Sequence, residues 1–155
     1  IGLNTDCQQH AYVLKEGETT VPDFLEEAFK QGNRVQDIFT GYFKEGDSGN
    51  VILAKSLEKG RSEGLRPAIY THPLGTYGHS SGTTLGMWDS QGGVPVNGDY
   101  PLHVNTVYAI ELNTTVTIEP WKKDVRIMLE EAGFFGEDGF RYVNGRQEAI
   151  KAIDW

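Results

Sequence analysis

Apolar residues recur at helical spacing twice in the first third of the chain. Phe24, Leu25, Ala28 and Phe29 share one helical face, and Thr20, Pro22 and Asp23 just before them suit a helix start. Gly32 and Asn33 are breakers, so this helix is expected to end or break there. Val35, Ile38, Phe39, Tyr42 and Phe43 then predict a second short helical or turn-rich piece. Ser48 is a candidate cap for a further helix reaching about Glu63. Ile52, Leu53 and Leu57 would face inward, with Lys55, Glu58, Lys59 and Arg61 outward. Residues 1–15 read as an extended segment leading into the turn around Gly17.

After Gly64 the period changes. Residues 107–112, 115–120, 125–131 and 140–145 alternate or run apolar and predict strands separated by turns. Helices followed by a run of strands predict an α+β fold rather than an alternating parallel α/β sheet. No short-period repeat and no low-complexity linker interrupts the chain.

With 155 residues, 38% hydrophobic and 11% aromatic, the chain is long and apolar enough for one domain with a core. Its 22 acidic and 14 basic residues give a net charge of −8. That charge disfavours nucleic acid and anionic membrane as partners, and suits metal cations. Cys7 is the single cysteine, which excludes a disulfide framework and a cysteine zinc site. No signal peptide or transmembrane run is present. Because the chain starts at Ile1, part of a longer protein is expected upstream, and the compartment stays open.

Candidate chemistry lies in acids placed within apolar strands. Glu111 sits inside VYAIEL, Glu130 and Glu131 follow VRIML, and Asp6 follows a short apolar start. Such acids are either on a solvated sheet face, the bland reading, or paired or metal-bound. His72 and His79, seven positions apart in the Gly- and Pro-rich stretch THPLGTYGH, add imidazoles to those carboxylates. No HExxH, CxxC, GxSxG or phosphate-loop pattern occurs.

His72-Pro73-Leu74-Gly75 followed by His79 resembles the HxxG-plus-His pattern of the pita-bread metallopeptidases. That family includes methionine aminopeptidase, aminopeptidase P, prolidase and the metal-free creatinase. The resemblance implies that His72 is a metal ligand and that His79 faces the substrate. Leu102 to Val107, leading into Tyr108-Ala109-Ile110-Glu111, is similar to the segment that precedes the family's next metal-binding Glu, with Asn105 at the usual Gly position. Thr117-Ile118-Glu119-Pro120 matches the family's tetrapeptide literally but lacks that lead-in. Glu111 is therefore the expected ligand, and Glu119 a decoy. Val125-Arg126-Ile127 resembles the strand of the last ligand, but Met128 stands where a Glu would follow. Counting back from Glu137-Asp138-Gly139 selects Glu130, with Glu131 as the reserve.

Thr5-Asp6-Cys7-Gln8-Gln9 resembles the family's Ser-Asp-Ile-Thr-Arg stretch and makes Asp6 a bridging ligand, while the family's first Asp would fall before Ile1. The implied fold is an N-terminally incomplete pita-bread fold, with helices packed on a curved, mainly antiparallel sheet. Residues 1–155 would then be the later part of the catalytic domain. The implied activity is metal-dependent hydrolysis of an N-terminal peptide bond, of the Xaa-Pro aminopeptidase or dipeptidase type. Asp6, His72, Glu111 and Glu130 would hold the metal, and Glu111 and His79 would be catalytic. Two divalent ions are expected in the complete protein, Mn²⁺ first, with Co, Zn or Fe as alternatives. The isolated piece is expected to be inactive. The expected partners are a peptide or dipeptide, the missing N-terminal segment and a homodimer mate. The resemblance favours the cytoplasm. The alternative is a non-catalytic module of the same fold that binds peptides or proteins. A creatinase-like, metal-free hydrolase would require substitution of acids that are present here.

Overall fold

A computed structural model describes residues 4–154. The chain runs through β1 (Ala11–Val13), α1 (Asp23–Gly41), α2 (Gly49–Ser62), β2 (Pro67–Ile69), β3 (His72–Gly75) and β4 (Gly78–His79). It continues through β5 (Thr106–Ile118), β6 (Lys123–Gly136), β7 (Gly139–Tyr142) and β8 (Lys151–Ile153). Helices precede the main run of strands, so the class is α+β, as the residue pattern implies. The first three residues of the extended stretch expected at 1–15 lie outside the described residues.

The break expected at Gly32 and Asn33 does not occur. Helix α1 runs unbroken through both, from Asp23 and Glu26 in its first turn to Gly41. Gly32 is there for packing rather than termination. A Cβ at this position would lie 2.8 Å from Leu129 Cδ1 and 2.9 Å from Ile127 Cγ2, so the missing side chain lets α1 settle on β6. Helix α2 starts as expected, with Ser48 Oγ accepting the Val51 N–H at 3.3 Å.

The sheet is antiparallel in the order β4-β3-β5-β6-β7, with β2 also paired to β5. Residues 107–112 and 115–120 are not two strands. Nothing at Asn113-Thr114 turns the chain, and β5 carries straight on to Ile118. The turn comes later, in the 3-10 segment Glu119–Trp121, and Lys122 closes it in the left-handed region at φ 48°. Successive side chains alternate faces. Tyr108, Ile110 and Leu112 point to the helices, where they meet Phe29, Phe39, Ile52 and Leu53 in the core. Glu111 and Asn113 therefore point to the opposite face.

Residues 4–10 run beside β6. The Gln8 N–H donates to the Glu130 carbonyl at 2.9 Å, and β1 pairs in parallel with β8. Gln147 clamps this strip, accepting the His10 N–H and donating to the His10 carbonyl. No helix among the described residues is long and apolar enough to cross a membrane.

The contact of α1 with β6 is testable. Gly32→Val should lower the stability to urea by about 1–3 kcal/mol through overpacking against Leu129 and Ile127. Gly41→Ala, with nothing within 4 Å of its new Cβ, should be neutral or stabilising by up to about 1 kcal/mol. Equal effects of the two changes would contradict the packing role.

Candidate metal centre

The β3–β4 hairpin explains the two histidines. Leu74 pairs with His79 and Gly75 with Gly78, so the chain doubles back within a few residues. The His72 and His79 rings stack, with centroids 3.8 Å apart and planes 13° from parallel. His72 also pairs with Ala109 on β5, which brings it diagonally next to Glu111. Thr71, fully buried, fixes the Glu111 backbone from both sides. Its hydroxyl accepts the Glu111 N–H at 3.0 Å and donates to the Glu111 carbonyl at 3.1 Å.

On the central hairpin Glu111 stands directly opposite Glu130. Ligand atoms of His72, Glu111 and Glu130 all lie within 4.8 Å of one another, and so do those of Asp6, His72 and His79. Two ligand atoms each about 2.0–2.6 Å from one ion are separated by no more than roughly 5 Å, so both groups have the spacing of a cation site. Asp6, His72, Glu111 and Glu130 thus meet in one place, although they span most of the chain. His79 lines the same cleft and is also at ligand distance from Asp6 and His72. Glu119 is elsewhere. It lies in the exposed turn eight residues beyond Glu111, roughly 27 Å along the strand at about 3.4 Å per residue. Glu131 points to the other face, where its carboxylate accepts the Gln147 N–H at 2.9 Å.

The donor chemistry fits a divalent ion. His72 Nδ1 lies 3.0 Å from the Pro73 carbonyl, which can only accept, so Nδ1 carries the proton. His72 Nε2 is then the nitrogen whose lone pair is free. It is buried, has no hydrogen-bond partner and sits 3.8 Å from Glu111 Oε2. Burial lowers the His72 pKa, which keeps the ring neutral and its lone pair available. Burial raises the pKa of Glu111, with Asp6 adding repulsion. Burial, then the Glu111 charge, push Glu130 up to about 7 against the opposing hydrogen bond from Gln8. Two shielded carboxylates beside an unpartnered imidazole nitrogen form an arrangement that a cation would neutralise.

His72, His79 and Glu111 line a cleft of about 740 Å³, and Glu130 lies buried behind Glu111. Gln8 and Thr71, which orient Glu130 and Glu111, were not anticipated from the sequence. The one available signal for Gln8 is its position two residues after Asp6, the spacing of a shared strand face.

The structure is similar to an X-Pro aminopeptidase from Thermotoga maritima, with a TM-score of 0.67 and 19% identity over 97% of this chain and 38% of that one. It is similar to a dipeptidase, PepE, from Mycobacterium ulcerans, with a TM-score of 0.66 and 16% identity over 99% of this chain and 37% of that one. The chain has the pita-bread fold. A third structure similar to this pita-bread chain is the N-terminal domain of a FACT complex subunit from chickpea, Cicer arietinum. It gives a TM-score of 0.61 and 14% identity over 86% of this chain and 32% of that one. The chain thus spans less than two fifths of the length of each of these proteins. No family model and no curated protein matches the sequence.

The buried carboxylate gives a pH signature. An acid whose folded pKa is raised from 4.5 to about 7 binds more protons folded than unfolded in that window, so its contribution to stability falls as the pH rises. Glu63 and Asp124, lowered to about 2 by their partners Arg34 and Arg66, act below this window. In EDTA, Glu130→Gln should therefore gain stability relative to the parent as the pH rises from about 5 to about 7. Urea midpoints across the range measure this, and a constant difference would contradict the environment assigned to Glu130.

Proposed function

We propose that residues 1–155 are the later part of a metal-dependent peptidase domain that hydrolyses an N-terminal peptide bond, of the Xaa-Pro aminopeptidase or dipeptidase type. The observation that carries this reading is the buried, unpartnered Nε2 of His72, within ligand distance of Glu111 and Glu130, where His72 and Glu111 line a peptide-sized cleft. Similarity in fold to an aminopeptidase and a dipeptidase supports it.

On this reading Asp6, His72, Glu111 and Glu130 hold divalent cations, Mn²⁺ first, with Co, Zn or Fe as alternatives and two ions in the complete protein. When bound, the cations lower the pKa of a water and polarise the scissile carbonyl. Glu111 takes a proton from the attacking water and delivers it to the leaving amine. His79 donates to the oxygen on which charge develops. Gln8 and Thr71 hold the two carboxylates in register. The second reading is a non-catalytic module that binds peptides or proteins, and what supports it is that the same fold occurs in the domain of a complex subunit.

Titration with Mn²⁺, alongside hydrolysis of Xaa-Pro peptides, separates the readings. The 155-residue chain should bind one ion weakly and hydrolyse little, and protein extended upstream of Ile1 should do both well. His72→Ala and Glu130→Gln should abolish binding, whereas Glu119→Gln should leave it intact. Retention of the ion by His72→Ala would exclude the proposed centre. In the extended protein, His79→Ala should lower kcat by about 10²–10³ with the ion retained, as for loss of an oxyanion donor. Loss of the ion would instead make His79 a ligand.

A further inference from the structure

The segment between β4 and β5, residues 80–105, supplies none of the clustered acids and histidines, yet it walls the cleft. It is firmly held. The Gln91 side chain acts like an added strand, accepting the Ile69 N–H at 2.9 Å and donating to the Ile69 and Met87 carbonyls, each at 2.7 Å. The Asn50 side chain, from α2, accepts the Val94 N–H at 2.7 Å and donates to the Val94 carbonyl at 3.1 Å. Gly86 has φ +79°, and a Cβ there would lie 2.1 Å from the Ile69 carbonyl oxygen, so the backbone is pressed directly onto β2. The tip closes on itself, with the Ser90 N–H donating to the Met87 carbonyl at 2.9 Å.

This fixed backbone presents two apolar side chains to water. Trp88 is 76% exposed and Met87 43%. A lone exposed apolar residue means little. Here, however, Met87 and Trp88 line the same cleft as Ala68, Tyr70 and Met128, an apolar end that flanks the Asn113 amide and is followed along the strands by Thr115 and Arg126. The strand register supplies a ruler. Ala68 and Met128 both pair with Asn113, two residues along from the Glu111–Glu130 pair, which is roughly 7 Å. An extended peptide advances about 3.3–3.6 Å per residue. A bond held at Glu111 and Glu130 therefore places a side chain within two residues of it against the apolar end.

We infer that Met87 and Trp88 form a preset apolar subsite for the side chain of a substrate residue within two positions of the reacting bond. They are specificity-determining residues and touch no reacting atom. The identity of the ligand as a peptide rests on the peptidase reading, whereas the apolar wall does not.

The test is NMR titration of the chain in EDTA, where hydrolysis is absent, with triglycine and its three single-leucine isomers. At least one isomer should bind more tightly than triglycine. Trp88→Ala should weaken that isomer at least fivefold, while triglycine changes less than twofold and Trp88→Phe restores most of the difference. If no isomer exceeds triglycine, or if Trp88→Ala weakens all four peptides alike, the subsite is excluded. Hydrolysis of the same peptides by the extended, metal-loaded protein is scored separately. Selective binding without hydrolysis would remove the peptidase reading and leave the subsite standing, and hydrolysis without selectivity would do the reverse.

Discussion

Glu111 and Glu130 face each other across the central hairpin, one half-buried and the other buried. Directly opposed like charges destabilise a sheet, and burial worsens the repulsion. The surrounding structure maintains the pair rather than relieving it. Gln8 donates to one carboxylate, Thr71 fixes the backbone of the other, and no arginine or lysine forms an ion pair with either among the described residues. What remains unsatisfied is a place for positive charge, and the bare nitrogen of His72 points into it. The hairpin register is the constraint on which this depends. Slipping β6 by one residue against β5 would turn Glu130 to the helix side and bring Glu131 to the face of Glu111.

That register sets the rest of the architecture. Because Glu111 and Asn113 occupy the cleft face, Ile110 and Leu112 must occupy the other, and there the two helices cover them. Gly32 lets α1 approach Leu129 and Ile127, the neighbours of Met128 on the buried side of β6. The apolar residues that pack on the helices and the paired acids Glu111 and Glu130 are alternate residues of the same two strands.

The sequence was legible where chemistry is written locally. His72 and His79 lie in one short Gly-rich stretch, and hairpin geometry suffices to stack them. The preference for Glu111 over Glu119 came from the lead-in residues, and the structure places Glu119 at the far end of the strand in an exposed turn. Glu130 and Glu131 are separated by the alternation of a strand, which the counting from Glu137 respected. What could not be read was long-range. Gln8 reaches Glu130 across 122 positions, and Gln147 reaches His10 across 137. Neither residue type carries a local signal for such a contact. Gly32 was misread because a glycine in a helical pattern locally favours a break, whereas tertiary packing used its lack of a side chain. The division of β5 into two strands failed for a related reason. Asn113 and Thr114 are poor in apolar character, but both are buried and the strand continues through them.

For Glu130 the bland reading, a solvated sheet face, fails on burial, whereas Glu111 is half-buried. Glu130 is 3% exposed, and the groups around it are another acid, an amide and an imidazole. A binding module without catalysis has no evident need of such a cluster, because an apolar cleft binds peptides at lower electrostatic cost. The cluster and the apolar end also differ in how they are built. The acids are placed by strand pairing, in which one residue's shift moves every neighbour. Trp88 and Met87 are placed by a loop stapled through Gln91 and Asn50, and that loop can change its tip without disturbing the hairpin. On the proposed peptidase reading, reactivity would be held by the rigid sheet and selectivity by the adjoining loop. That separation would let one pair of carboxylates serve different side chains, because a change at the tip of the wall need not alter the register of Glu111 and Glu130.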